Sequence, residues 1–92
     1  MIYLICYDIT DNRRRTKVSK LLEAYGIRIQ KSVFEATLTP PQFQTLTQKL
    51  QTTIDLNRDR LRFYPLSVRC RNQTLILGLQ ADFAIGDGAV IL

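Results

Sequence analysis

The chain opens on a run that leaves little choice of conformation. Ile2-Tyr3-Leu4-Ile5-Cys6-Tyr7 is apolar at successive positions and stops abruptly at Asp8. Such a run, without polar alternation, reads as a central strand covered on both faces, over about residues 2–8. Alternation places Ile2, Leu4, Cys6 and Asp8 on one face and Tyr3, Ile5 and Tyr7 on the other. Asp8 therefore continues an apolar face, where an unpaired carboxylate is costly to bury. Thr10-Asp11-Asn12-Arg13-Arg14-Arg15 follows, so a strand hands over to a carboxylate and then to a cluster of cations. The junction has two readings: a divalent-metal site beside a phosphate, or a strand end followed by a capped helix.

Thr10 or Asp11 is placed to cap a helix running to about Tyr25, with Gly26 as its left-handed stop. Val18, Leu21, Leu22 and Tyr25 fall at i, i+3, i+4 and i+7 and make its buried stripe. Arg14 lies in line with that stripe near the strand end, while Arg13, Lys17 and Lys20 share another face. Between Ile27 and Leu38 the apolar phase changes near Lys31 and Ser32, which calls for a bulge, a sharp bend or a split into two strands. Thr39-Pro40-Pro41 opens a second helix with Phe43, Leu46, Leu50 and Ile54 inward. Residues 60–66 alternate as a strand, and Pro65 favours an edge. Arg69 to Gln73 reads as a basic turn and Thr74 to Leu79 as a further strand. The apolar C-terminus is expected to add a strand to a sheet, that of a partner subunit included. The order predicts a ferredoxin-like α+β sandwich, two helices on one face of a mixed sheet of four to five strands. It forms one domain over residues 1–92, with 81–92 as a C-terminal extension.

The net charge is +5 over 92 residues, and Arg13, Arg14, Arg15, Lys17, Lys20, Arg28 and Lys31 crowd the first third. A basic field of this density favours a polyanion such as nucleic acid, although a charged helix is often only a solvated face. The chain has no histidine, which removes imidazole acid–base catalysis, histidine metal ligands and imidazole-dependent triads. Two cysteines are too few for a disulfide scaffold and lack zinc-site spacing. No apolar run reaches a membrane span and no signal peptide precedes the first strand, so a cytoplasmic protein without membrane contact is expected.

Three stretches together resemble the CRISPR-associated protein 2 (Cas-two) family: Tyr7-Asp8-Ile9-Thr10-Asp11 before an arginine-rich helix start, Gly26 to Glu35 with its Ser32-Val33-Phe34, and Arg62-Phe63-Tyr64-Pro65-Leu66. The likeness runs over about residues 2–79 in order and spacing. It implies a ferredoxin-like homodimer that partners the Cas-one integrase in spacer acquisition, with metal-dependent nuclease activity in some members. It also implies that Asp8 is the metal-site residue, that Arg15 and Arg28 serve activity, and that Tyr7 and Phe34 belong to the same motifs. Lys17 departs from the arginine of some members, keeping the charge but losing the bidentate fork.

These residues frame two hypotheses. In the first, Asp8 and its copy in a second subunit hold magnesium for a phosphodiesterase acting on single-stranded RNA or duplex DNA, and Arg14 or Arg15 stabilises the developing charge. In the second, the dimer is a non-catalytic scaffold that grips DNA for the integrase through Arg13, Arg14, Arg15 and Lys17. Tyr7 and Phe34 offer rings for base stacking, with a core or subunit-interface position as the alternative.

Overall fold

A computed structural model of the chain describes residues 1–78 and the short strand at 90–91. The elements are β1 (Ile2–Asp8), α1 (Asn12–Glu23), β2 (Ile27–Gln30), β3 (Val33–Thr37), α2 (Pro40–Thr53), β4 (Arg60–Leu66), α3 (Val68–Asn72), β5 (Leu75–Ile76) and β6 (Val90–Ile91). Four strands form one sheet in the order β2-β3-β1-β4, and every neighbouring pair is antiparallel. The expected mixed sheet is corrected by this topology. Each helix joins two strands that run the same way, but another strand lies between them: β3 separates β1 from β2, and β1 separates β3 from β4. All hydrogen-bonded neighbours are consequently antiparallel, and the two interleaved β-α-β units give the ferredoxin-like sandwich.

The register assigns every side chain to a face. Tyr3, Ile5 and Tyr7 lie beside Ala36 and Phe34 of β3 and Leu61 and Phe63 of β4, with Val18 and Leu22 of α1 and Leu46 and Leu50 of α2 packed over them. Ile2, Leu4, Cys6 and Asp8 share the opposite face with Leu66, Tyr64, Arg62 and Arg60. Here the expectation that β1 is covered on both faces is corrected. Ile2, Leu4 and Cys6 remain partly exposed, because both long helices use the first face. Over part of the open face lies α3, through an ion pair from Arg71 Nε to the buried Glu35 at 2.8 Å.

Local chemistry explains the element ends. Asp11 caps α1 by accepting the Arg14 amide at 2.9 Å, and Thr39 with Gln42 forms a reciprocal capping box at α2. The phase change after Ile27 resolves into a hairpin: β2 and β3 are separate strands turning at Lys31 and Ser32, with a register shift between Arg28 and Gln30. Gly26 is not a left-handed stop, since α1 ends with Ala24 in right-handed geometry and Gly78 is the positive-φ glycine among the described residues. Its role is close approach. A Cβ at Gly26 would lie 2.3 Å from the Glu35 carbonyl oxygen, so only a glycine lets the chain turn from α1 into the sheet beside β3. The 69–73 stretch is the short helix α3 rather than a turn, capped by Ser67. β5 spans only Leu75–Ile76 and pairs in parallel with Val90–Ile91. Most of the C-terminal extension lies outside the described residues.

Candidate active site

Asp8 ends the central strand with an exposed side chain, and its cross-strand partner is Arg60. Three clefts meet at it. One, about 250 Å³, opens on the uncovered sheet face between Cys6, Asp8, Arg60, Arg62 and Tyr64. The second lies toward the hairpin turn and is bordered by Tyr7, Ile9, Arg15, Lys31 and Ser32. The third runs along Thr10 and the turn from Leu56 to Arg60.

Every other described carboxylate has work to do. Asp11 caps α1, Glu23 meets Arg28 at 3.3 Å, Glu35 meets Arg71, and Asp55 accepts the Asn57 amide at 2.9 Å. Asp59 accepts both Arg14 Nε at 2.7 Å and Arg14 Nη2 at 3.1 Å, and also the Asp55 amide at 2.8 Å. Asp8, alone among the described carboxylates, makes no hydrogen bond or ion pair. An acid kept unpaired among cations is available to a ligand.

The Asp59 side chain has no exposure to solvent. The Arg14 hydrogen bond holds its carboxyl below the usual carboxylate range, against the opposing pull of burial. Because the folded-state pKa is depressed, the stabilisation is complete at neutral pH and is lost only as the pH falls below about 4. Arg14, expected among the nucleic-acid contacts, turns its fork inward to Asp59 across 45 residues of sequence. Sequence alone placed it near the buried stripe, and that phase was the available signal.

The remaining arginines divide similarly. Arg15 Nη1 donates to the Ile9 carbonyl at 3.0 Å, and its other nitrogen meets Asn12 Oδ1, so it braces the link between β1 and α1 while bordering the Asp8 cleft. Arg28 lies one cleft farther along, between Glu23 and Lys31, with its guanidinium 5.1 Å from the Phe34 ring centre and a hydrogen bond to the Lys31 carbonyl at 3.2 Å. The Tyr7 hydroxyl donates to the same carbonyl at 3.2 Å. Tyr7 is 6% exposed and Phe34 0%. Both rings sit in the core, so base stacking by Tyr7 or Phe34 is corrected: neither offers a free face. Arg13, Lys17 and Lys20 are exposed along α1 and make no ion pair among the described residues. Arg60 faces Asp8 across the β1–β4 register and Lys31 lines the same cleft as Asp8 and Arg15, although neither is among the sequence-predicted site residues.

Magnesium takes one or two carboxylates and leaves its other positions to water and phosphate. No group of three potential ligand residues gathers among the described residues. Among the described residues the chain thus offers a single free carboxylate, Asp8, and its chemistry fits one of the one or two that magnesium takes.

The family model for CRISPR associated protein Cas2 matches residues 1–74. A CRISPR-associated endoribonuclease Cas2 of Chloroflexus aurantiacus is 51% identical over 79 residues, covering 85% of each chain. The crystal structure of Streptococcus pyogenes Cas2 is 35% identical with a TM-score of 0.78, covering 85% of this chain and all of that one. A chain of a partial Cas6-RT-Cas1–Cas2 complex is 37% identical with a TM-score of 0.67, covering 79% of this chain and 80% of that one. With matches of this extent in sequence and fold, the chain belongs to the CRISPR-associated protein Cas2 family.

Proposed function

We propose that this chain is a magnesium-dependent endonuclease of CRISPR adaptation, working in the cytoplasm as a homodimer on RNA or DNA. The observation that carries the reading is the free carboxylate of Asp8, exposed at the end of a central strand and ringed by Arg15, Lys31 and Arg60. The relative from Chloroflexus aurantiacus is named an endoribonuclease, which supports the same chemistry here.

The half-exposed sheet face of Ile2, Leu4 and Cys6, flanked by Tyr64 and Leu66, is the surface a second copy would cover. Asp8 lies on that face, so docking through it gathers two carboxylates. Asp8 and its copy would hold the ion. When bound, magnesium supplies a water of lowered pKa and offsets phosphodiester charge. Arg60 and Lys31 draw the scissile phosphate toward the carboxylates, and Arg15 places cationic charge where the leaving oxygen develops its own. Arg28 steadies the hairpin turn that presents Lys31. Arg13, Lys17 and Lys20 bind phosphates away from the cut.

Partnership with Cas1 is the second part of the reading, supported by the Cas1–Cas2 complex to which the fold is similar. A basic dimer that grips nucleic acid for an integrase needs the same unpaired helix cations, and grip and cleavage coexist on one molecule.

The test is an assay of the purified chain on single-stranded RNA and duplex DNA, with magnesium and with a chelator in its place. Internal cuts that need magnesium are expected on at least one substrate. Binding without cleavage of either, in any divalent ion, would leave the scaffold role alone.

A further inference from the structure

The pairing of Arg14 with Asp59 does more than hold two elements together. The turn from Asp55 to Asp59 is closed by its own backbone, with the Asp59 amide donating to the Asp55 carbonyl at 2.8 Å and the Arg58 amide to the same oxygen at 3.1 Å. The Asp59 carboxylate sits inside this turn, accepts the Asp55 amide, and has no solvent exposure. Outside the turn its single side-chain partner among the described residues is the guanidinium of Arg14, held in bidentate geometry. Arg14 stands on the first turn of α1, whose cap Asp11 is three residues past Asp8.

The next residue after Asp59 is Arg60, which begins β4 in the last register position opposite Asp8. The cleft on this side is lined by Asp8, Thr10, Asn57, Arg58, Asp59 and Arg60. Movement of the turn would shift Arg60 first, because the ladder between β1 and β4 ends there.

We propose that Arg14 and Asp59 are positioning residues for the Asp8 site: their ion pair, formed by the partly exposed Arg14 over the buried Asp59 carboxylate, docks the 55–59 turn on α1 and so fixes Arg60 in register with Asp8. The proposal rests on Asp8 being the seat of cleavage. It assigns Arg14 no contact with nucleic acid, in contrast to the exposed Arg13 and Lys17 beside it. Neither side chain touches the reacting atoms; each acts through Arg60. Removing Arg14 outright would leave the buried Asp59 carboxylate uncompensated, so the conservative substitutions are the informative ones.

The experiment uses Asp59→Asn and Arg14→Lys, the second as the milder change should the first fail to fold, with Arg60→Ala alone and combined with each. Two quantities are read below the unfolding midpoint: backbone amide exchange, and magnesium-dependent cleavage of whichever nucleic acid the native chain cuts. Exchange at Arg60 is expected to quicken at least tenfold, while amides in the middle of α2 keep their protection. Cleavage is expected to fall about tenfold in kcat with KM unchanged, and the double variant to cleave as Arg60→Ala does alone, because both changes act through one residue. Unchanged exchange at Arg60 would overturn the clasp itself. Faster exchange with additive losses would overturn its action through Arg60. If Asp8→Ala cleaves as the native chain does, the role in the site falls with the assignment of Asp8, while the exchange result separately reports the docking of the turn.

Discussion

Asp8→Ala is expected to lower the magnesium-dependent cleavage rate roughly 10²–10³-fold, the scale of losing one group that stabilises charge at a reacting centre. Stability should hardly change. Asp8 makes no hydrogen bond or ion pair among the described residues, and its side chain is exposed, so the substitution belongs with surface changes worth within about 0.5 kcal/mol. Binding should survive as well, since Arg13, Lys17 and Lys20 keep their charges. The variant and the native chain, purified in parallel, are compared for initial cleavage rate, urea midpoint and salt dependence of nucleic-acid affinity. A selective loss of cleavage is the expected pattern. Equal cleavage by both would trace the activity to another residue or to a contaminant.

Phe34→Ala is expected to be the most damaging single change to the fold. The ring is fully buried on β3, with the Tyr7 ring centre 6.3 Å away and Arg28 over its face. Truncation removes that packing and leaves a cavity, at a cost of about 3–5 kcal/mol. Against a total stability of about 5–15 kcal/mol, that is a large share. Urea unfolding should show a much lower midpoint. Phe34→Leu retains most of the volume and should cost about 1 kcal/mol, with nucleic-acid affinity unchanged. If Phe34→Ala kept native stability but weakened binding, the ring would have to be a base-stacking surface after all.

Asp8 was legible from the sequence for a definite reason: its parity matches Ile2, Leu4 and Cys6, and a carboxylate continuing an apolar face is conspicuous. The core stripes of both helices were legible for the same reason, as were the Thr39 cap and the edge position implied by Pro65. Phe34 shares parity with Ala36 and Leu38, which points to the core, but a motif aromatic beside basic residues carries the opposite suggestion. Burial decides between them, and burial depends on what α1 brings across the sheet.

Arg14 and Arg15 are adjacent and chemically identical, yet one pairs with a buried carboxylate and the other ties backbone carbonyls. Their separation depends on Asp59, which no local pattern marks as buried and which meets α1 only once the sheet has formed. The strand directions were hidden for a related reason. Whether a sheet is mixed or antiparallel follows from which strands become neighbours, and here each crossover skips a strand. Glu35 looks like an exposed strand position until α3 folds back and Arg71 closes over it.

The central claim is that two Asp8 carboxylates, one from each subunit, make one cleavage site. Native chain and Asp8→Ala are mixed in equal amounts, allowed to exchange subunits, and assayed at constant total protein with magnesium. If the site needs both carboxylates, only dimers of two native subunits cleave, and about one quarter of the native activity should remain. About one half would show that each Asp8 acts alone, and full activity would show that Asp8 takes no part in the chemistry.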